Sequence, residues 1–317
     1  MSKRIRIHRC SLKGGIKSSP EFAKKGLAQF GINIGTKCGH GCTYCSTGAM
    51  LRCHPSFKAA KENPFKHGYA IIDPDIPEKV AHDAAHMRNR GLAQLCTTVD
   101  AWAPESKKYD LGRRCLEALL TQPGWAVRIL TKNAAVAKDF DFIREYRDRV
   151  LVGLSLTATP DRENVMLTVE PNASPISERV AVLKQAHEMG LRTYGMLCPL
   201  LPNIADAPQH IDQLVRFCKI IGVEEVFAEA VNPRGAGLRL TEDALRAAGL
   251  AAEADAVHQV RRTENWSAYV AKLIKSIQVA MRRHGMISRL RFLLYPARLQ
   301  DADRNAIEKD GEGVIWL

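Results

Sequence analysis

A partial (β/α)6 barrel of the α/β class, carrying a helical C-terminal extension, is the fold this sequence predicts, and two observations predict it. Between residues 28 and 232 six apolar, β-rich runs alternate with helix-like stretches, and from about Thr241 onward the pattern turns to helices. Repeated βα units specify a parallel sheet, and right-handed crossovers curl such a sheet toward a barrel.

The elements follow in chain order. Residues 1–27 form a basic N-terminal arm, the first thirty residues holding eight Lys and Arg against the single acid Glu21. The barrel is expected over residues 28–240. AQFGINIG is its first strand, followed by LAQLCTTVD, WAVRILT, VLVGLSLT, LRTYGMLCPL and VEEVFAEAV. The intervening stretches PEKVAHDAAHMRNRG and ISERVAVLKQAHEMG read as helices closed by Gly91 and Gly190 at C-cap positions. In the extension, residues 241–317, TEDALRAAGLAAEADAVHQV and NWSAYVAKLIKSIQVAMRRHG read as helices. The basic apolar run SRLRFLLYP comes after them, and the whole is expected to pack on the barrel.

Composition narrows the class. The 317 residues are 46% hydrophobic, enough for one large core or two ordinary ones. No run of about eighteen apolar residues appears, and the basic start MSKRIRIHRC lacks the apolar region of a secretory signal, so a soluble, cytoplasmic protein without a membrane span is expected. Net charge is +12, and Arg282, Arg283, Arg289, Arg291 and Arg298 follow one another with no acid between them. Basic stripes at both ends suggest a polyanionic partner, most often nucleic acid; the competing reading is a solvated surface.

The chemistry concentrates at residues 38–45, CGHGCTYC. Cys38, Cys42 and Cys45 stand three and two residues apart, with no second CxxC pair to complete a structural zinc site. Three thiolates can hold three corners of a cubane iron-sulfur cluster and leave its fourth iron open to another ligand. The loop follows the first strand directly, at the end where βα barrels carry their chemistry. Glycines 39, 41 and 48 allow the backbone to wrap a cluster closely, and Lys37 adds positive charge beside thiolates. His40 reads either as a donor to a cluster sulfur or as an exposed residue. Cys53 reads as a nearby thiol, and Cys10, Cys115, Cys198 and Cys218 as isolated ones.

CGHGCTYC fits the CxxxCx(aromatic)C signature of radical S-adenosylmethionine enzymes, with Tyr44 as the aromatic. Within that superfamily the chain most resembles the spore photoproduct lyase and DNA repair photolyase-like group. TTVDAWAPE at 97–105, ILTKN at 129–133, VGLSLT at 152–157 and MLCPLLPN at 196–203 match its strand-end motifs in order. The resemblance implies a partial barrel of the radical S-adenosylmethionine type, a 4Fe-4S cluster on Cys38, Cys42 and Cys45, and S-adenosylmethionine chelated to the fourth iron. It implies that Tyr44, Asp100, Lys132, Ser155 and Thr157 bind the cofactor, Asp100 and Lys132 meeting the methionine amino and carboxylate groups. It implies reductive cleavage to a deoxyadenosyl radical, fed by an electron donor such as flavodoxin or ferredoxin.

By the resemblance Cys96 corresponds to a hydrogen-donating, catalytic cysteine of that lyase, displaced by one residue along the strand, which turns a side chain to the other face unless a bulge restores it; it reads either as that donor or as a buried apolar cysteine. Ser46 stands where the lyase has a tyrosine. A lyase-like or hydrogen-abstracting reaction on a nucleic acid or nucleotide-like substrate, as in DNA repair, is therefore expected. Two readings compete with it: an iron-sulfur binding or redox-sensing partner protein without cofactor turnover, and the same radical chemistry directed at a small molecule or a protein. The turn EAVNPRGAG at 229–237, with Glu229, Asn232 and Arg234, is a further candidate contact at the sixth strand end.

Overall fold

The computed structural model describes residues 5–317. In chain order its strands are β1 (Arg6–Arg9), β2 (Ile16–Ser18), β3 (Phe30–Ile32), β4 (Gly35–Lys37), β5 (Tyr69–Ile72), β6 (Leu92–Leu95), β7 (Ala126–Thr131), β8 (Val150–Leu154), β9 (Arg192–Thr193), β10 (Gly195–Leu200), β11 (Val226–Ala230), β12 (Leu290–Leu294) and β13 (Val314–Trp316). Strands β3, β6, β7, β8, β9/β10 and β11 are the six expected runs.

These six lie in parallel. Hydrogen-bonded order runs β2-β3-β6-β7-β8-β9 in one sheet and β10-β11-β12-β13 in another. The two join because β9 and β10 are one chain run interrupted at Tyr194, whose amide donates to the Val152 carbonyl (3.1 Å), while Leu156 donates to Met196 (2.8 Å). The result is a continuous open arc with β2 at one edge and β13 at the other; among the described residues no pairing closes it. Strands β6 to β8 are buried almost throughout, as parallel strands covered on both faces must be.

The inner face of the arc holds Leu27, Leu151, Tyr194, Met196, Phe227 and Leu293 as one cluster. Arg128 lies over the rings of Tyr194 (4.6 Å) and Phe227 (5.1 Å) and pairs with Glu225 (2.9 Å). The interior is thus a packed core, and the strand C-terminal ends are left to build a site. Gly153 makes room for the Tyr194 ring, which a Cβ there would meet at 2.4 Å. The outer face packs on helices such as Leu111–Leu120, Ile176–Glu188 and Pro208–Ile220, whose apolar residues recur at three- and four-residue spacing. Gly190 (φ 73°) follows the helix Ile176–Glu188 as expected, whereas the helix before Gly91 already stops at His86.

Both ends differ from expectation. The N-terminal segment is folded into the sheets: β1 pairs in parallel with β5, and β2 antiparallel with β3. Residues 1–4 of that arm lie outside the described residues. The C-terminal extension contributes helices, Thr263–Arg283 the longest, but SRLRFLLYP becomes β12, and β13 extends the arc beyond it. Leu290, Phe292, Leu293 and Leu294 are all buried, so this short run has apolar partners on both faces and joins the sheet. Strands β4, β5 and β1 form a separate small sheet that carries the cysteine loop.

Candidate functional site

Strand β4 ends at Lys37 and delivers the chain into the cysteine loop. Gly41 takes a left-handed backbone (φ 68°), which reverses the chain between Cys38 and Cys42. The Tyr44 carbonyl closes against Gly237, where a Cβ would sit 2.7 Å from that oxygen, so the helix Gly237–Ala247 holds the loop from outside. Cys38, Cys42 and Cys45 carry free thiols and line one hollow together with Lys37, Gly41, Thr47, His67 and Thr98. Burial pushes the Cys42 thiol up to about 12, with Glu170 adding to the shift and Lys132 opposing it, so this thiol stays protonated until a metal displaces the proton.

His67 is the anomaly of this hollow: both ring nitrogens are buried without a hydrogen-bond partner. Burial, and then the Lys37 ammonium, lowers its pKa to about 4, which leaves a neutral ring. Among the described residues no three His, Cys, Asp or Glu side chains converge as ligands of a single metal ion. A cubane does not require such convergence, since each thiolate binds its own iron. Three free cysteines around one hollow, beside a desolvated imidazole, fit a cluster held at three corners.

The loop is tied to the strand ends by an ion pair. His40 is buried, and both its nitrogens face acceptors: Nδ1 the Asn172 carbonyl (3.0 Å) and Nε2 the Asp100 carboxylate (2.9 Å). Burial opposes the charged ring, but Asp100 and the Asn172 carbonyl outweigh it and raise the His40 pKa. His40 is therefore neither exposed nor a donor to sulfur. Asp100 is likewise committed. It also accepts from the Trp102 amide (2.9 Å), the Thr131 hydroxyl (2.8 and 3.0 Å) and the Lys132 amide (2.8 Å). With His40 these make four donors to the Asp100 carboxylate, whose expected contact with the methionine amino group would add to a set already satisfied. Its work is to hold the loop. Glu105, unread in the sequence, does the same, accepting from the Gly39 amide (2.9 Å).

The other expected cofactor residues do come together, around a carboxylate that sequence reasoning missed. Glu170 is buried and accepts from the Tyr44 hydroxyl, from Thr157 (3.2 and 3.3 Å) and from the Arg179 guanidinium. Arg179, 1% exposed, also donates to the Ser155 carbonyl (3.0 Å) and the Ser174 carbonyl (2.7 Å). Burial alone would raise the Glu170 pKa, but the Arg179 and Lys132 charges and the hydrogen bonds hold it below the usual range. Lys132 places its ammonium 3.2 Å from the Ser155 hydroxyl and 5.9 Å from the Tyr44 ring centroid. Burial would lower its pKa, yet the Glu170 charge raises it, so the ammonium persists. Thr157 is wholly buried and serves to hold Glu170.

No family model matches the chain. An uncharacterized protein of the Acidianus two-tailed virus is 26% identical over 223 residues, which covers 68% of this chain and 71% of the viral one. An uncharacterized protein of Methanocaldococcus jannaschii is 23% identical over 191 residues, 60% of this chain and 67% of its own. Spore photoproduct lyase complexed with dinucleoside spore photoproduct superposes with a TM-score of 0.53 at 14% identity, over 76% of this chain and 66% of the lyase. The chain shares its fold with spore photoproduct lyase.

The chain spans just under two thirds of that lyase's length. Cys96 takes a left-handed backbone (φ 67°) directly after β6, and its thiol is buried without lining the hollow. Cys198, on β10, instead packs beside the inner cluster and donates its thiol to Glu229 (3.5 Å). Glu229, Asn232 and Arg234 line a crevice of about 520 Å³ with Tyr295 and Arg298 at the ends of β11 and β12. Cys53 is exposed.

Of the C-terminal arginines, Arg282 pairs with Asp310 and Glu312, Arg283 with Asp212, and Arg291 with Glu225, while Arg289 donates to the Val223 carbonyl. That run is mostly internal wiring. Among the described residues no helix is long and apolar enough to cross a membrane.

Proposed function

We propose that this protein is a radical S-adenosylmethionine enzyme acting on a nucleic acid or nucleotide-like substrate. The observation that carries the reading is Lys132: a half-buried ammonium at a strand end, bonded to Ser155, lying over Tyr44 and beside Glu170. When bound, the cluster and S-adenosylmethionine supply an electron and a deoxyadenosyl radical for hydrogen abstraction, the electron coming from a donor such as flavodoxin or ferredoxin. Cys38, Cys42 and Cys45 hold the cluster. Lys132 offers its ammonium to the methionine carboxylate, and Ser155 and Tyr44 border the same space. Glu170, Thr157 and Arg179 fix that lysine's surroundings.

The substrate side rests on charge and shape. The crevice at the ends of β11 and β12 carries Arg234 and Arg298 beside Tyr295, whose ring also lies under Lys25 (5.4 Å) and Arg234 (6.0 Å). An aromatic ring flanked by cations suits a base and its phosphate. The lyase in the comparison is described with a dinucleoside photoproduct bound, which supports a nucleotide-like substrate here. Ser46, in place of that group's tyrosine, argues for a different net reaction from thymine-dimer reversal. Incubating the loaded enzyme with uniformly deuterated DNA or RNA tests this: deuterium in the 5′-deoxyadenosine product supports the reading. Cofactor cleavage without label transfer from either, but with label from a peptide or small metabolite pool, would overturn the substrate assignment.

A further inference from the structure

Resting on the reading that Cys38, Cys42 and Cys45 hold an iron-sulfur cluster, we propose that His67 is a positioning and tuning residue for that cluster, donating a ring N–H to one of its sulfurs. The residue precedes β5, in a segment where no metal or cofactor motif is legible. Its ring shares the hollow with all three cysteines. Both Nδ1 and Nε2 are buried and unpartnered, although almost every other buried side-chain nitrogen and oxygen of the site has a partner. A buried polar group left without a hydrogen bond is destabilising, so a ring in this state is built to meet an acceptor that the polypeptide does not itself supply.

The surroundings select the acceptor. Lys37, the nearest charged neighbour in the hollow, donates to the Pro64 carbonyl (3.0 Å) and has no acceptor to offer the ring. Thr47 donates its hydroxyl to the Thr98 carbonyl (2.8 Å). Thr98 likewise donates its hydroxyl, to Asn33 (3.1 Å), and neither threonine oxygen bonds the ring, so the three cysteine sulfurs are the acceptors that a bound cluster would bring to it. Lys132, Ser155 and Thr157 do not line it, so His67 belongs to the side where protein thiolates hold the cluster and not to the groups placed for the methionine carboxylate. A hydrogen bond to a cluster sulfur stabilises the more negative, reduced state and so raises the reduction potential.

The test compares wild type with H67F, which keeps an aromatic ring and removes both nitrogens, and with H67Q, which keeps an N–H donor. Two readouts are independent of turnover. In cluster-free protein, H67F is expected to raise the melting temperature, because it removes two desolvated, unpaired atoms. In reconstituted protein with full iron and sulfide content, H67F is expected to shift the midpoint potential to more negative values in an EPR-monitored titration, and H67Q to restore part of the shift. Should H67F fail to hold a cluster, H67L takes its place in the same comparison. Equal potentials in wild type and the non-donor variant, a lower melting temperature of cluster-free H67F, or a nitrogen hyperfine coupling of the size given by a direct iron ligand would each overturn the proposal. If wild type itself assembles no cluster, it is the underlying reading of the cysteines that fails.

Discussion

Removing the Arg179 guanidinium should unlock the floor of the site, and the size of the effect follows from burial. Arg179 and Glu170 are each 1% exposed, and no water replaces the lost partner in R179M. Breaking one side of a buried ion pair costs about 3–5 kcal/mol. Lys132 still faces Glu170, and Tyr44 and Thr157 still donate to it, so the lower end, about 3 kcal/mol, is expected for this pair. With a urea slope near the upper value of about 3 kcal/mol per molar, the unfolding midpoint should fall by about 1 M. The assay is circular dichroism on reduced, cluster-free protein, so that no cofactor enters the comparison.

The effect has a pH signature. The Glu170 pKa is lowered in the fold, so its pairing stabilises above the unfolded carboxylate pKa of about 4.3 and is lost as pH falls through the depressed folded value. R179M should therefore cost most at neutral pH and progressively less in acid. The double variant E170L/R179M, which removes both charges of the pair, should be more stable than R179M alone. An unchanged midpoint for R179M, or a loss independent of pH, would refute the claim that this pair organises the site.

Three further outcomes are expected. Lys132→Met should weaken S-adenosylmethionine binding about 10–100-fold, the worth of a hydrogen bond to a charged group, while iron content stays at the wild-type level; calorimetry and iron assays on reconstituted protein measure the two. Gly237→Ala, which brings a Cβ to 2.7 Å from the Tyr44 carbonyl, should reduce cluster loading in iron and sulfide assays, whereas Gly14→Ala, with its nearest atom at 3.5 Å, should not. Nucleic-acid affinity, measured by fluorescence anisotropy, should fall steeply with salt, and replacing Lys25, Arg234 and Arg298 by Gln should flatten that slope by about 2–3, roughly one unit for each phosphate that is no longer neutralised.

The parts of this molecule that the sequence makes legible are those whose partners are close in the chain. CGHGCTYC is legible as a site because the three cysteines that line one hollow lie within eight residues. The six central strands are readable because β-rich runs and amphipathic helices alternate, a local signal of parallel topology. Glu170 and Arg179 are not readable: the first meets Tyr44 across 126 residues, and the second is a charged residue on a buried helix face where pattern reasoning expects an apolar one. Asp100 is legible as a position, but a motif does not show the four donors to its oxygens. The pairing of the arginine run is hidden for the same reason, its acids Asp212, Glu225, Asp310 and Glu312 lying elsewhere in the chain. Strands β1, β4 and β5, three or four residues each, are too short for a periodic signal.

The central claim is that three thiolates and Lys132 assemble a working radical centre. Anaerobic reconstitution, reduction with dithionite and addition of S-adenosylmethionine, with mass spectrometry of the products, tests it most directly. The account predicts 5′-deoxyadenosine and methionine from wild type and neither from Cys42→Ser. A fully loaded wild-type cluster that binds no S-adenosylmethionine would contradict it.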